Sequence, residues 1–146
     1  MNTAPEGAFT MFKLIDHTAD IGIEVEAESI EELFRESARG MFSIICENLQ
    51  EVECTREIEG KVEGEDIQEL MYNFLEDLLF LFEVKRLLVK DVDVRIGDNH
   101  LEYRACGETV NPEKHVIATG IKSPTYHMME IKRKNGGWWA RIIFDV

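Results

Sequence analysis

Hydrophobic and polar residues alternate with a period of two over residues 21–28. Ile21, Ile23, Val25 and Ala27 form one side of this segment, while a glycine and three glutamates occupy the other. Such alternation is typical of a β-strand with one face in a hydrophobic core and one face in water. The pattern therefore predicts a half-buried strand.

An amphipathic helix is predicted directly after this strand. Ser29 is followed by Glu32 three residues later, which is the sequence signature of a capping box. Apolar residues then recur every three or four positions, so the helix is predicted from about residue 30 to about residue 46. The members of this stripe are Ile30, Leu33, Phe34, Ala38, Met41, Phe42 and Ile45.

A second amphipathic helix is predicted to begin after Asp66. Its apolar side comprises Ile67, Leu70, Met71, Phe74, Leu75, Leu78, Leu79 and Phe82. We interpret this run of Leu, Met and Phe as a stripe that packs in the core, not as a cofactor site. The opposite side, predicted to be a solvated acidic face, carries Glu69, Asn73, Glu76 and Asp77.

The remaining segments predict strands joined by turns. Residues 51–63 alternate again, and GDNH at 97–100 separates two further alternating runs as a hairpin turn does. Residues 126–133 and 138–145 flank a second turn, Asn-Gly-Gly at 135–137. This order of elements predicts an α+β fold, in which a largely antiparallel β-sheet packs against two amphipathic α-helices.

The composition indicates one globular domain. Of the 146 residues, 45% are hydrophobic and 31% are charged. We expect residues 1–11 to be a flexible lead-in and residues 12–146 to form the domain. No apolar run approaches the roughly 20 residues that span a bilayer, and the first residues lack the features of a secretory signal. We therefore expect a cytoplasmic protein that does not bind membranes.

The charge is strongly acidic and unevenly distributed. The net charge is −13, of which the first 113 residues carry −17 and the last 33 carry +4. Because such a surface repels phosphate chains, tight direct binding of nucleic acid is disfavoured. A basic protein surface or a hard cation is a better partner for it.

Known nucleophile and zinc motifs are missing from the sequence. It contains no GxSxG, Gly-rich phosphate loop, dinucleotide fingerprint or HExxH. Cys46, Cys54 and Cys106 form no CxxC pair, and we predict that they are buried or half-buried small apolar residues. His100 is predicted to lie in a solvated turn, and His127 in a strand with a structural hydrogen bond.

Carboxylates are the remaining candidates for chemistry. The stretch DHTAD at 16–20 stands before the first predicted strand, and Asp145 is the penultimate residue, followed by Val146. If the first and last predicted strands are neighbours, Asp20, Asp145 and the terminal carboxylate would meet. Oxygen ligands of this kind select Ca²⁺ or Mg²⁺. From the residues alone, a turn-capping role for Asp20 remains an alternative.

Five segments together resemble the archease family. They are HTADIGIEVEAESIEELFRESARGMF, VEGEDIQELMYNFLEDLLFLF, RACGE, KSPTYH and the ending IIFDV. The resemblance extends from Phe12 to Val146 in the family's order and spacing. Its most specific parts are HTADIG at the opening of a strand and a chain that ends in Asp plus one aliphatic residue. Met1 to Thr10 has no counterpart in the family pattern.

The resemblance implies a function. Archeases are non-enzymatic cofactors of the GTP-dependent tRNA-splicing RNA ligase of the RtcB type. They speed guanylylation of the active-site histidine of the ligase and allow repeated turnovers. The ligase joins RNA ends that carry a 2′,3′-cyclic phosphate or a 3′-phosphate to ends that carry a 5′-hydroxyl. The chain is therefore expected to act in tRNA processing with this ligase as its partner.

The resemblance also implies the residues of the site. The divalent-metal site of the family maps onto Asp20, Asp145 and Val146, the same carboxylates that would meet if the first and last strands are neighbours. The family lysine before the TYH stretch maps onto Lys122 and is expected at the partner surface. His17 and Thr18 are expected to shape the turn and are also candidate partner contacts.

Two alternative functions remain open at this point. A general chaperone or folding modulator would require an exposed apolar patch, whereas the apolar stripes of this sequence suit a core. A metal-dependent hydrolase would require a general base beside the carboxylates, for which His17 and His127 are the candidates.

Overall fold

The computed structural model describes residues 10–17 and 20–146, and for Asp16, His17 and Asp20 it describes the backbone alone. The chain forms eight strands, two α-helices and a short 3₁₀ turn within these residues. In chain order they are β1 (Met11–His17), β2 (Asp20–Ala27), α1 (Ile30–Ile45), the 3₁₀ turn (Leu49–Glu51), β3 (Arg56–Glu63), α2 (Ile67–Glu83), β4 (Leu87–Gly97), β5 (His100–Thr109), β6 (Ser123–Pro124), β7 (Glu130–Lys134) and β8 (Gly137–Asp145).

Both helices begin where the sequence predicts. The Ser29 hydroxyl accepts a hydrogen bond from the Glu32 backbone N–H at 3.1 Å and caps α1. The Asp66 carboxylate accepts one from the Glu69 N–H at 2.8 Å and caps α2. These bonds satisfy donors that the first turn of a helix leaves without partners. Neither helix has the length and apolar character of a membrane span within the described part of the chain.

The strands form two antiparallel sheets. The first sheet has the order β1-β2-β8-β6, with β7 also paired to β8, and the second sheet has the order β3-β5-β4. Each helix contacts strands of both sheets: α1 packs on β2 and β4, and α2 packs on β3 and β6. The predicted α+β class, with antiparallel strands against two helices, is confirmed. The strands are divided between two sheets, however, and the core forms where both sheets meet the helices.

The two predicted hairpins are present. Asn135 and Gly136 connect β7 to β8 with φ angles of 53° and 80°. Positive φ at both central residues of a two-residue turn favours Asn-Gly, because glycine has no Cβ and asparagine tolerates this conformation. Asn99, with φ 58°, lies in the turn between β4 and β5.

Two local predictions are wrong, and one strand was missed. The strand predicted over 51–63 begins only at Arg56, because the Lys90 ammonium donates to two carbonyls of the 3₁₀ turn and holds that turn. His127 lies in an exposed turn and not in a strand, since β7 begins only at Glu130. Strand β1 was not predicted, because its apolar residues do not alternate: Phe12 and Ile15 are partly buried, whereas Lys13 and Leu14 between them are exposed.

The prediction for two of the cysteines is also wrong. Cys54 and Cys106 form a disulfide with a Cα–Cα distance of 5.0 Å, whereas Cys46 is buried as predicted. Pairing of β3 with β5 brings the two sulfurs together, and the Thr55 N–H donates to the Gly107 carbonyl at 2.8 Å beside them. The 52-residue separation of the cysteines hides this contact from any local pattern.

The predicted acidic face of α2 is only partly solvated. The Asn73 amide donates to the Glu63 carbonyl at 2.7 Å, and the Asp77 carboxylate accepts a hydrogen bond from the Tyr103 hydroxyl. Burial, and next the neighbouring Asp77 carboxylate, raises the pKa of Tyr103. Asn73 and Asp77 therefore attach α2 to the second sheet.

Candidate metal and partner site

The first and last predicted strands are neighbours in the first sheet. In the antiparallel pair β2–β8, Ile21 is opposite Phe144 and Gly22 is opposite Ile143. Continuing this register by one residue places the backbone of Asp20 opposite that of Asp145. The sequence predicts a metal site only if the first and last strands are neighbours. The strand pairing meets this condition.

A second segment closes the other side of β8. Ser123 in β6 is opposite Asp145, and the Lys122 backbone N–H donates to the Asp145 carbonyl at 2.8 Å. Asp145, Val146 and Lys122 are all exposed. The end of β8 thus lies between the start of β2 and the segment that carries Lys122.

The predicted site residues are described to different extents. His17 is opposite Asp20 in the β1–β2 pair, so its backbone belongs to the same end of the first sheet. Thr18 lies outside the described residues, as do the side chains of His17 and Asp20. The structure therefore brings the backbones of Asp20, Asp145 and Lys122 to one place, while the meeting of the carboxylates stays a prediction.

The donor chemistry at this place suits a hard cation. Asp145 takes part in none of the ion pairs formed among the described side chains, so its exposed carboxylate is not neutralised by any of them. Carboxylate oxygens that can also keep water ligands match Ca²⁺ and Mg²⁺. No group of three His, Cys, Asp or Glu side chains placed to hold a metal occurs among those described, which do not include that of Asp20.

A different charged cluster lies at the end of β5 in the second sheet. The Glu108 carboxylate contacts the Lys114 ammonium at 2.8 Å and the ring Nε2 of the buried His115 at 2.9 Å. The backbone N–H of Asn111 donates to His115 Nδ1, so Nε2 carries the proton and donates to Glu108. With both ring nitrogens engaged, His115 holds the loop after β5 in place. The sequence offered no sign of this role.

This cluster predicts a pH dependence of stability. The Lys114 ammonium, and next His115, lowers the pKa of Glu108 to about 2, against about 4.3 in an unfolded chain. Its contribution is therefore complete above about pH 4.3 and is lost as the pH falls toward 2. We expect Glu108→Gln to lower the melting temperature at pH 7, and the gap to the wild type to shrink in thermal melts below pH 4.

The matched control is Glu102→Gln. Glu102 is exposed on the same strand and forms no ion pair among the described side chains. Its melting temperature should follow that of the wild type within a degree or two at every pH. A Glu108→Gln gap that stays constant from pH 7 to pH 2.5 would contradict the prediction.

The sequence matches a family with known members over almost its whole length. Residues 12–146 match the Archease protein family. The chain is 39% identical over 136 residues to the archease of Pyrococcus furiosus, covering 90% of this chain and 95% of that protein. It is 40% identical over 136 residues to the archease of Thermococcus kodakarensis, with the same two coverages.

Solved structures share the fold. The solution structure of a Methanobacterium thermoautotrophicum protein superimposes with a TM-score of 0.75 at 30% identity, covering 92% of this chain and 98% of that one. A crystal structure from Thermotoga maritima, described as an archease and possible chaperone, gives 0.63 at 24% identity with coverages of 92% and 96%. The second likeness concerns the fold alone. On the family match and the identity to curated members, the chain belongs to the archease family.

Proposed function

We propose that this protein is a non-enzymatic cofactor that activates an RtcB-type, GTP-dependent RNA ligase in tRNA splicing. One observation supports this proposal beyond family membership. In the pairing of β2, β8 and β6 the backbone of Asp145 lies between the backbones of Asp20 and Lys122, the residues that the resemblance associates with metal and partner. We therefore assign the proposed activity to this end of the first sheet.

The proposed metal ligands are the side chains of Asp20 and Asp145 and the α-carboxylate of Val146. These oxygens would hold one Ca²⁺ or Mg²⁺ ion with water completing the shell. Such an ion would supply positive charge that neutralises phosphate oxygens when bound. The contribution of the chain is to hold carboxylates that would otherwise repel each other, with the ends of two paired strands fixing their spacing.

The proposed partner contacts surround this end of the sheet. Lys122 is exposed, and its backbone is held against β8, so its ammonium can reach a phosphate or a ligase carboxylate. His17 is the last residue of β1, and Thr18 follows it in the sequence; both are proposed to contact the ligase. An acidic end with one lysine beside it suits an enzyme surface that binds both metal ions and a nucleotide.

The assisted step is proposed to be guanylylation of the ligase. A ligase histidine nitrogen attacks the α-phosphorus of GTP, forming a P–N bond as the P–O bond to pyrophosphate breaks. Negative charge grows on the departing pyrophosphate, and a cation at that place stabilises it. The residues of this chain are proposed to position that cation at the nucleotide site without reacting themselves.

The test is a ligase–GMP formation assay with and without this protein. We expect faster formation of the covalent intermediate and more product in multiple turnover. Single-turnover ligation by ligase that already carries GMP should be unchanged, because its guanylylation is complete. Equal acceleration of both reactions would show that guanylylation is not the assisted step.

A further inference from the structure

A short exposed turn presents an aromatic and a thioether side chain to solvent. Tyr126 and Met128 are 53% and 50% exposed, and His127 between them is exposed as well. These three residues form the 126–128 turn, which connects β6 to β7. Isolated exposed apolar residues are common on protein surfaces, but two of them on either side of an exposed histidine in one turn are a candidate contact site.

The 126–128 turn is fixed at several points. The Thr125 N–H and hydroxyl both donate to the Ile143 carbonyl at 2.9 Å, and the Met129 N–H donates to the Tyr126 carbonyl at 3.1 Å. The Arg141 guanidinium donates to the Met128 carbonyl at 2.9 Å. A surface that is already ordered loses little conformational entropy on binding, which favours a contact role.

The tyrosine of this turn is stacked on α2. The rings of Tyr126 and Tyr72 lie 4.5 Å apart between centroids with an interplanar angle of 7°. Tyr72 covers one face of the Tyr126 ring, and because Tyr126 is still 53% exposed, we take the face away from Tyr72 as the one in solvent. The second face is therefore available to a planar or cationic group.

Glu69 and Glu76 lie one helical turn before and one turn after Tyr72 on α2, so they share the helix face that carries the stacked pair. Burial, and next the carboxylate of Glu69, raises the pKa of Tyr126, while burial and next Glu76 raise that of Tyr72. Arg141 is the basic residue beside the turn, and its guanidinium forms an ion pair with the Glu130 carboxylate at 3.4 Å. An exposed aromatic face with acidic neighbours fits a guanidinium or ammonium group, which stacks on the ring and pairs with a carboxylate.

We propose that Tyr126 and Met128, with Glu69 and Glu76, form a docking surface for an arginine- or lysine-rich surface of a partner protein. This inference rests on the proposed function, in which the partner is the RNA ligase. An enzyme that binds RNA carries basic surface for the phosphate backbone, so its charge complements this one. The turn lies near the end of β8 that carries Asp145, because Ser123 pairs with Asp145 and Pro124 with Phe144, and Lys122 directly precedes this pairing. Docking here would bring the proposed metal site to the ligase.

The experiment measures the affinity of this protein for the ligase by surface plasmon resonance. We expect Tyr126→Ala to raise Kd at least 10-fold, and Tyr126→Phe to change it less than about 2-fold because the ring is kept. Glu76→Gln should lower the association rate and weaken its dependence on salt. The control is Phe80→Ala, which removes an equally exposed ring from the later part of α2 and should leave Kd unchanged.

The outcomes separate this inference from the proposed function. Calorimetry with Ca²⁺ should give the same heats for Tyr126→Ala as for the wild type, which shows that the fold and the metal site are kept. If Tyr126→Ala binds the ligase no more weakly than Phe80→Ala, the docking surface is wrong while the proposed function stands. A wild-type protein that does not bind the ligase would overturn both.

Discussion

Asp145→Asn should weaken Ca²⁺ binding by at least ~10-fold and return ligase guanylylation nearly to its rate without this protein. The substitution keeps the size of the side chain and removes one of the proposed anionic ligands. Asp145 is exposed at the end of β8, and its backbone bond to Lys122 does not involve the side chain. The fold should therefore be unaffected. Calorimetry measures the first effect, and a ligase–GMP formation assay measures the second.

The matched control for this prediction is Asp98→Asn. Asp98 lies in the exposed turn between β4 and β5 of the second sheet, whereas the candidate site lies at one end of the first sheet. The variant therefore loses the same charge without changing the candidate site. It should bind Ca²⁺ and accelerate guanylylation like the wild type. Equal losses in both variants would show that the overall negative charge matters and not a ligand at the end of β8.

The elements that the sequence predicted well are those with a strong local signal. Ser29 and Asp66 mark helix starts because a side-chain oxygen three residues before an N–H is enough to cap it. Asn135 and Gly136 mark a hairpin because few other residues adopt positive φ at both positions. Each of these signals depends on neighbours in the sequence, so no tertiary information was needed.

Prediction of the candidate site from the sequence needed both a local pattern and an assumption about which distant strands are neighbours. The residues predicted that Asp20 and Asp145 would meet only if the first and last strands were adjacent, and the β2–β8 register confirms that adjacency for the backbone. The contact of His115 with Glu108 had no such pattern, because it depends on how the loop after β5 folds back. The 126–128 turn was missed because residues 126–133 were predicted to form one strand, whereas β7 begins only at Glu130.

The chaperone and hydrolase alternatives can be compared with the described surface. Exposed large apolar residues occur on β1, on α2 and just after it, near residue 116, in the 126–128 turn and at Val146, so they are spread over several elements. Such a distribution is ordinary for a soluble domain and differs from one broad patch for unfolded chains. His127, a proposed base for hydrolysis, is exposed in the 126–128 turn. An assay for suppression of aggregation and an assay for phosphoester hydrolysis would test the two alternatives directly.

Removal of the Cys54–Cys106 disulfide should cost the fold about 2–4 kcal/mol of unfolding free energy. The crosslink spans 52 residues, and the loop-entropy relation gives about 4 kcal/mol for a loop of that size. For a domain of this length that loss should lower the melting temperature by roughly 5–15 °C. Thermal melts of the oxidised wild type and of Cys54→Ser/Cys106→Ser measure it. The serines suit sites that are exposed and half-buried.

The control for the disulfide is the response of each protein to a reductant. A dithiol should lower the melting temperature of the wild type and leave that of the double variant unchanged, because the variant has no crosslink to break. Titration of thiols in the denatured, unreduced wild type should detect one thiol, that of Cys46. Three titrated thiols would contradict the crosslink.

Since disulfides persist mainly in oxidising surroundings, the same titration on protein taken directly from cells would also test the expected cytoplasmic location. The disulfide belongs to the second sheet and the proposed metal site to the first. Reduction below the melting temperature should therefore leave Ca²⁺ binding intact, which separates a loss of stability from a loss of function.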